Sequence, residues 1–396
     1  MNRAKRGVFI KTVIKNGKVI TPYEVLCGVE VVIAKGKITE IKATNDVDGT
    51  YDHVIDAQGK FLAPGFIDIH NHGNSGFDFM KSSYEAIENI ASFHLKNGVT
   101  SFLATTITAP KEDLLKAVKS FKNYMIDTEN KKDGLSQLLG VYLEGPYFAP
   151  NKKGAQPLKH LKKPQVKELT ELLDVSGGMI KVVSLAPELD GATEVISFLK
   201  ENGISPFAGH TDGSFEQTQA AISLGVIGAT HLFNGMRGFT HREPGVAGAV
   251  LTDQRVMCEL ICDGIHVHPK AMELAYKLKG KNGIILVSDA MMAAGLPDGD
   301  YDLGGQKVIV KDKVARLEDG TLAGSTLTLS KAVANMVNMV NVPIHEAVGM
   351  ATLNPAKVIG VADNKGSIET GKDADLVLFD ENIKITDVIV GGKIRK

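Results

Sequence analysis

Six residues able to hold a divalent cation fall where short apolar runs end. His70 and His72 close the run at 66–69, and Glu144 closes 138–143. His210 follows 204–208, His231 lies within 226–233, and Asp289 follows 284–287. Taken singly, each has a plainer use. A His-x-His pair can be two unrelated histidines, Glu144 a solvated or ion-paired carboxylate, His210 and His231 hydrogen-bonded core residues, and Asp289 a helix N-cap. Together they point elsewhere. Chance does not place these types at successive run ends while sparing His53, His94, His160 and His345. His70-Asn71-His72 on extended backbone turns both imidazoles to one face, because side chains alternate with period two. Neutral imidazole with carboxylate is the donor set of a borderline cation such as Zn²⁺ or Fe²⁺, and no cysteine cluster competes for it.

Those residues need elements to bring them together. Eight apolar runs, at 66–69, 101–105, 138–143, 181–186, 204–208, 226–233, 256–262 and 284–287, are mostly separated by helix-like segments such as 84–96, 112–126, 215–224 and 270–278. Capping-box spacing opens two helices, at Ser82-x-x-Glu85 and Ser214-x-x-Gln217. Repeated β/α units with doubly buried strands predict an α/β fold, a (β/α)₈ TIM-type barrel in preference to a doubly wound sheet. In such a barrel all strand C-termini share one rim, where the six residues would converge. After the eighth run, 301–322 reads as a hairpin-bearing insertion, and helices resume near 328–340 and 344–351.

The chain ends have another texture. Val- and Ile-rich stretches at 8–14, 17–20, 29–33 and 37–41 are broken at Asn16-Gly17 and Lys35-Gly36, and similar stretches occupy 374–379 and 385–390. The expectation is a small β-sandwich module from residues 1–60 plus 362–396, with the barrel at 61–361. Gly304-Gly305 and Gly391-Gly392 read as turns.

The 396 residues carry a formal net charge of -1, which gives no basic field for nucleic acid. No run approaches 18 apolar residues, and the first eleven residues lack a signal-peptide core, so no membrane association is expected. Three cysteines fit a reducing, cytoplasmic location, with Cys258 and Cys262 as core thiols. No GxxxxGK[ST] segment is present, so phosphate affinity would need another source. Arg242 taken alone is a surface arginine paired with Glu243, although its planar fork suits bidentate phosphate binding.

Pro64-Gly65-Phe66-Ile67-Asp68-Ile69-His70-Asn71-His72-Gly73 resembles the first-strand signature of the amidohydrolase superfamily. Leu143-Glu144-Gly145-Pro146, Gly209-His210-Thr211, His231-Leu232-Phe233-Asn234-Gly235-Met236, Arg242-Glu243-Pro244-Gly245, Asp263-Gly264-Ile265-His266 and Ser288-Asp289-Ala290-Met291 together resemble the N-acetylglucosamine-6-phosphate deacetylase family, in order, over about residues 61 to 325. The resemblance implies Glu144, His210 and His231 as principal metal ligands, and His70 and His72 as a second metal position, with one or two ions per subunit. It implies Asp289 as general base and acid and His266 as the residue that helps polarise the substrate carbonyl. Asn234 and Gly235 would offer backbone amides to the sugar phosphate, with Gly235 replacing an alanine common there. Arg242 would reach that phosphate from the neighbouring subunit of a homodimer. The implied reaction is deacetylation of N-acetylglucosamine 6-phosphate, in amino-sugar catabolism or cell-wall recycling. Two alternatives stand beside it: the N-acetylgalactosamine 6-phosphate reaction, and a non-catalytic scaffold on the same fold.

Overall fold

The computed structural model describes residues 10–44 and 50–396. Eight parallel strands form one sheet in chain order: β1 (Phe66–Asp68), β2 (Val99–Thr105), β3 (Gln137–Glu144), β4 (Ile180–Leu185), β5 (Ser205–Ala208), β6 (Gly228–Ala229), β7 (Met257–Leu260) and β8 (Ile284–Leu286). Between and after them run α1 (Tyr84–Lys96), α2 (Lys111–Ile126), α3 (Val166–Ser176), α4 (Ala192–Glu201), α5 (Phe215–Leu224), α6 (Gly245–Thr252), α7 (Pro269–Lys279) and α8 (Leu329–Val340). The expected barrel is present. Every residue of β2 is buried, as it must be in a parallel strand covered by helices outside and by its fellows inside. The covering helices present helical-period apolar stripes; α2 buries Leu114, Ala117, Val118, Phe121 and Tyr124.

The seam between β8 and β1 is closed by individual bonds in place of a ladder. Asp289 N–H donates to His70 O at 2.9 Å and His72 N–H to Ala290 O at 2.8 Å. The Asp68 carboxylate accepts Ser288 Oγ–H at 2.6 Å and Ser288 N–H at 3.3 Å. Burial pushes the Asp68 pKa up to about 7, against those two bonds. At the opposite end Ile67 N–H donates to Ala351 O.

Several local expectations need correction. The first capping serine is Ser83, whose Oγ accepts from Ala86 N–H, whereas Ser82 sits in left-handed backbone and ends the preceding turn. The Ser214 box forms as expected. The apolar run 226–233 yields only a two-residue strand, because His231 (φ 30°) and Phe233 (φ 77°) bend the chain into turns. At Asn16-Gly17 the chain changes sheets without folding back: Lys11–Lys15 pairs with Val29–Ala34 and His53–Asp56, while Lys18–Ile20 pairs with Phe61–Pro64 and Val25–Leu26. Residues 8 and 9 of the first expected stretch lie outside the described residues.

Beside the barrel stand a four-stranded and a six-stranded sheet. In the larger one Phe61–Pro64 pairs antiparallel with Leu376–Phe379, joining the two chain ends. Ile14, Val31, Ile33, Leu62, Leu376, Leu378 and Ile389 pack into one core between these sheets. After β8, strands Gly299–Leu303, Gln306–Lys311 and Val314–Leu317 make an antiparallel insertion. Its first turn is Gly304-Gly305, with both φ values positive (59° and 78°) as a tight two-residue hairpin requires. Leu303 and Val308 pack on Ile107 and Met291, which seats the insertion on the rim. No helix among the described residues is long and apolar enough to cross a membrane.

Gly228 tests the barrel packing. A Cβ there would lie 2.1 Å from the Phe207 ring, which is fully buried and packs on Tyr142. Gly228→Ala is expected to destabilise the protein by about 1–3 kcal/mol, read as a lower urea midpoint with unchanged slope.

Candidate active site

The six residues picked from the sequence meet at the C-terminal rim as two groups of three. In one, Glu144 Oε1 lies 3.1 Å from His210 Nε2 and 3.2 Å from His231 Nε2, and those two nitrogens are 3.1 Å apart. Ligand atoms around a tetrahedral ion with bonds of about 2.0–2.1 Å are separated by about 3.3 Å, so this triangle fits a cation with little adjustment. In the other, His72 Nε2 lies 3.3 Å from Asp289 Oδ1, and His70 Nε2 lies 3.6 Å from the same oxygen. Glu144 stands between the groups, its Oε2 being 3.3 Å from His72 Nε2. Each group's ligand atoms lie within 4.8 Å of one another, and all six residues are buried.

Three of the four imidazoles are locked in the orientation a metal needs. His210 Nδ1–H donates to Lys152 O at 2.8 Å, His231 Nδ1–H to Asn234 O at 3.1 Å, and His70 Nδ1–H to Glu259 Oε2 at 2.8 Å. Each bond holds Nδ1 outward and turns Nε2 to the centre, where a cation would take its lone pair. His70 Nε2 is buried with no hydrogen-bond partner among the described residues, as a ligand nitrogen would be. Asn71 points the other way: its side chain donates to Leu103 O and accepts from His94. Burial drives the His94 pKa down to about 3, so that ring is a neutral core residue.

The backbone is held at less favoured angles to aim these groups. His210 (φ 46°), His231 (φ 30°) and Asp289 (φ 47°) all adopt left-handed conformations, at roughly 1–3 kcal/mol each. Electrostatics match the geometry. Burial opposes ionisation of Glu144, yet bonds from His210, His231 and His72 hold its carboxyl well below the usual range. Asp289 is likewise lowered, with burial overcome by His72 and His70. Burial works against a charged His72, and the Asp289 and Glu144 carboxylates outweigh it and raise its pKa.

The groups open into a cleft lined also by Gln156, Asn234, Gly235, His266, Leu303 and Thr321, so the insertion after β8 forms one wall. His266 Nδ1–H donates to Asp263 Oδ2 at 2.6 Å, leaving Nε2 as the nitrogen available to a ligand. Asn234 and Gly235 differ. The Asn234 amide already donates to His231 O, whereas the Gly235 amide has no acceptor among the described residues. Arg242 is exposed and does not line the cleft. It makes no ion pair with Glu243, whose Oε1 accepts from the Phe215 and Gly245 amides.

Sequence reasoning passed over three residues at this site. Asp263 holds His266, Gln156 Nε2–H donates to Glu144 Oε2 at 2.6 Å, and Glu259 holds His70. Glu259 had a legible signal, a lone carboxylate inside the apolar run 256–262. Gln156 had none.

Eight parallel strands with histidine–carboxylate groups at their C-terminal ends define a barrel hydrolase of the metal-dependent kind. The chain belongs to the amidohydrolase family, which matches residues 61–395. It is 39% identical to the N-acetylglucosamine-6-phosphate deacetylase of Lysinibacillus sphaericus, over 98% of each chain. It is 41% identical to the N-acetylgalactosamine-6-phosphate deacetylase of Escherichia coli O157:H7, over 86% of this chain and 89% of that one. Among solved structures, the N-acetyl-D-glucosamine-6-phosphate deacetylase of Mycobacterium smegmatis, a mutant in complex with N-acetyl-D-glucosamine-6-phosphate, superposes with a TM-score of 0.90 at 31% identity, covering 98% of this chain and all of that one.

Metal at this centre should stabilise the fold by mass action, by about 4 kcal/mol at a thousand times its dissociation constant. Chelation is expected to lower the thermal midpoint and added Zn²⁺ to restore it. Glu144→Gln, which removes the charge shared by both groups, should abolish that recovery and the bound metal measured by elemental analysis.

Proposed function

We propose that this chain hydrolyses the acetamide of N-acetyl-D-glucosamine 6-phosphate to D-glucosamine 6-phosphate and acetate. The observation that carries the reading is the convergence of Glu144, His210, His231, His72, Asp289 and His266 on one cleft, with His70 buried beside His72 and Asp289, in a chain related over 98% of its length to a deacetylase of that substrate. The similarity to an N-acetylgalactosamine-6-phosphate deacetylase supports a second reading, the epimeric substrate. A non-catalytic scaffold would not keep an intact and strained centre.

Glu144, His210 and His231 would hold one divalent cation and His70, His72 and Asp289 a second, Zn²⁺ or Fe²⁺ by donor type. A bound cation lowers the pKa of water from about 15.7 toward about 7 and polarises a carbonyl. Asp289, kept ionised by its imidazole neighbours, accepts the proton of the attacking water. It then returns that proton to the leaving nitrogen, which is too basic to depart without it. His266, braced by Asp263, meets the carbonyl oxygen as negative charge develops there. The free Gly235 amide would serve the phosphate, whose binding energy orients the acetamide. Arg242, exposed and without an ion pair among the described residues, would reach the phosphate of a neighbouring subunit in a homodimer. A cytoplasmic place in amino-sugar catabolism or cell-wall recycling follows from the substrate and the sparse cysteines.

Acetate release from the two phosphosugar epimers tests the reading. Faster turnover of the glucosamine epimer supports it, and release from neither overturns it. In the same assay Asp289→Asn should lower kcat by about 10²–10⁴-fold while the protein stays folded.

Arg242→Lys should raise KM for the phosphorylated sugar by about tenfold or more and change kcat far less. Wild-type kinetics would remove Arg242 from the phosphate site.

A further inference from the structure

Glu259 lies within β7 and is fully buried. It forms no pair with a lysine or arginine, and its Oε1 has no hydrogen-bond partner among the described residues. Such a carboxylate costs several kcal/mol to bury, so the strand gains nothing from it as packing. Its contacts are specific. Oε2 accepts from His70 Nδ1–H at 2.8 Å and from the His231 backbone N–H at 3.2 Å. Its own carbonyl accepts from the Leu232 amide at 2.8 Å, on the same turn.

The two partners of Oε2 belong to different groups. His70 stands with His72 and Asp289, and His231 with Glu144 and His210. We propose that Glu259 is a positioning residue that aims His70 Nε2 at the second cation position and ties that position to the first through the backbone of His231. The inference deepens the metal-centre part of the function proposed above and rests on it.

The geometry makes the effect directional. A carboxylate at Nδ1 fixes a proton there and aims Nε2 at the centre, 3.6 Å from Asp289 Oδ1 and 3.7 Å from Glu144 Oε1. The His70 ring also lies 4.7 Å from the Tyr142 ring, which hinders its turning. The charge of Glu259 makes His70 a stronger donor toward a cation. Without Glu259 the ring could place its proton on either nitrogen, and the second position would weaken first. The first position is less exposed to the change, because Lys152 O and Asn234 O orient its two imidazoles independently of Glu259.

Metal retention tests this without any substrate, so a failure of the deacetylase reading leaves the outcome interpretable. Full-length wild type and Glu259→Gln are saturated with Co²⁺ and dialysed against graded chelator, and the remaining metal and its visible absorption are measured. Wild type is expected to hold two ions. Glu259→Gln should release one of them at about 10–100-fold lower chelator strength and keep the other as wild type does. In a His70→Ala background the same change should add nothing to the loss of that ion. A merely structural role would loosen both ions together or neither, and either result overturns the proposal, as does a wild-type protein that takes up one ion at saturation. Should Glu259→Gln fail to fold, nitrogen-15 spectra of the Zn²⁺-loaded wild-type protein read the His70 tautomer directly. A proton on Nδ1 supports the assignment, and a proton on Nε2 overturns it.

Discussion

Negative charge buried at one end of the barrel governs this structure. Glu144 and Asp289 are buried on either side of His72, each 3.3 Å from its Nε2, and buried carboxylates need positive charge close by. In the metal-free state protons on the surrounding imidazoles supply it, which is why His72 and His231 are raised against the effect of burial. A divalent cation does the same with less crowding, since it replaces protons squeezed between atoms about 3 Å apart. Four imidazoles and their carbonyl or carboxylate anchors follow from that requirement.

The rest of the barrel acts as a jig. Residues from β1, β3, β5, β6 and β8 can meet only because parallel strands end on one rim. The seam shows how closely fold and site are joined: the backbone bonds that close β8 against β1 involve His70, His72 and Asp289 themselves. Closing the barrel therefore assembles the second group. The left-handed backbone at His210, His231 and Asp289 persists because neighbouring bonds fix it, such as Asp289 O accepting from the Ser325 amide.

What the sequence disclosed follows the range of each interaction. Strand ends were readable because apolar runs stop where polar ligands begin, and Gly304-Gly305 was readable because a tight hairpin needs positive φ. Ser82 misled because the adjacent Ser83, on extended backbone, caps the helix one residue later at the Ala86 amide, while Ser82 itself is left-handed. The length of β6 misled because Leu232 is as apolar as a strand residue yet lies in a turn, where it stays fully buried. Partners supplied from far along the chain were least legible. Lys152 gives His210 a backbone carbonyl, which every residue possesses, and Gln156 reaches Glu144 from a loop with no periodic signature. Glu259 marked itself only by polarity in an apolar strand.

The pairing of Phe61–Pro64 with Leu376–Phe379 bears on how the molecule is made. These neighbours are separated by some three hundred residues of chain, so the second is synthesised long after the first. Contacts of such separation form slowly, because the intervening loop must be closed before they contribute. The edge of Phe61–Pro64 must wait, unpaired on that side, until Leu376–Phe379 has left the ribosome. During that interval it is a sticky template, and this is the stage at which the nascent protein most needs protection from aggregation.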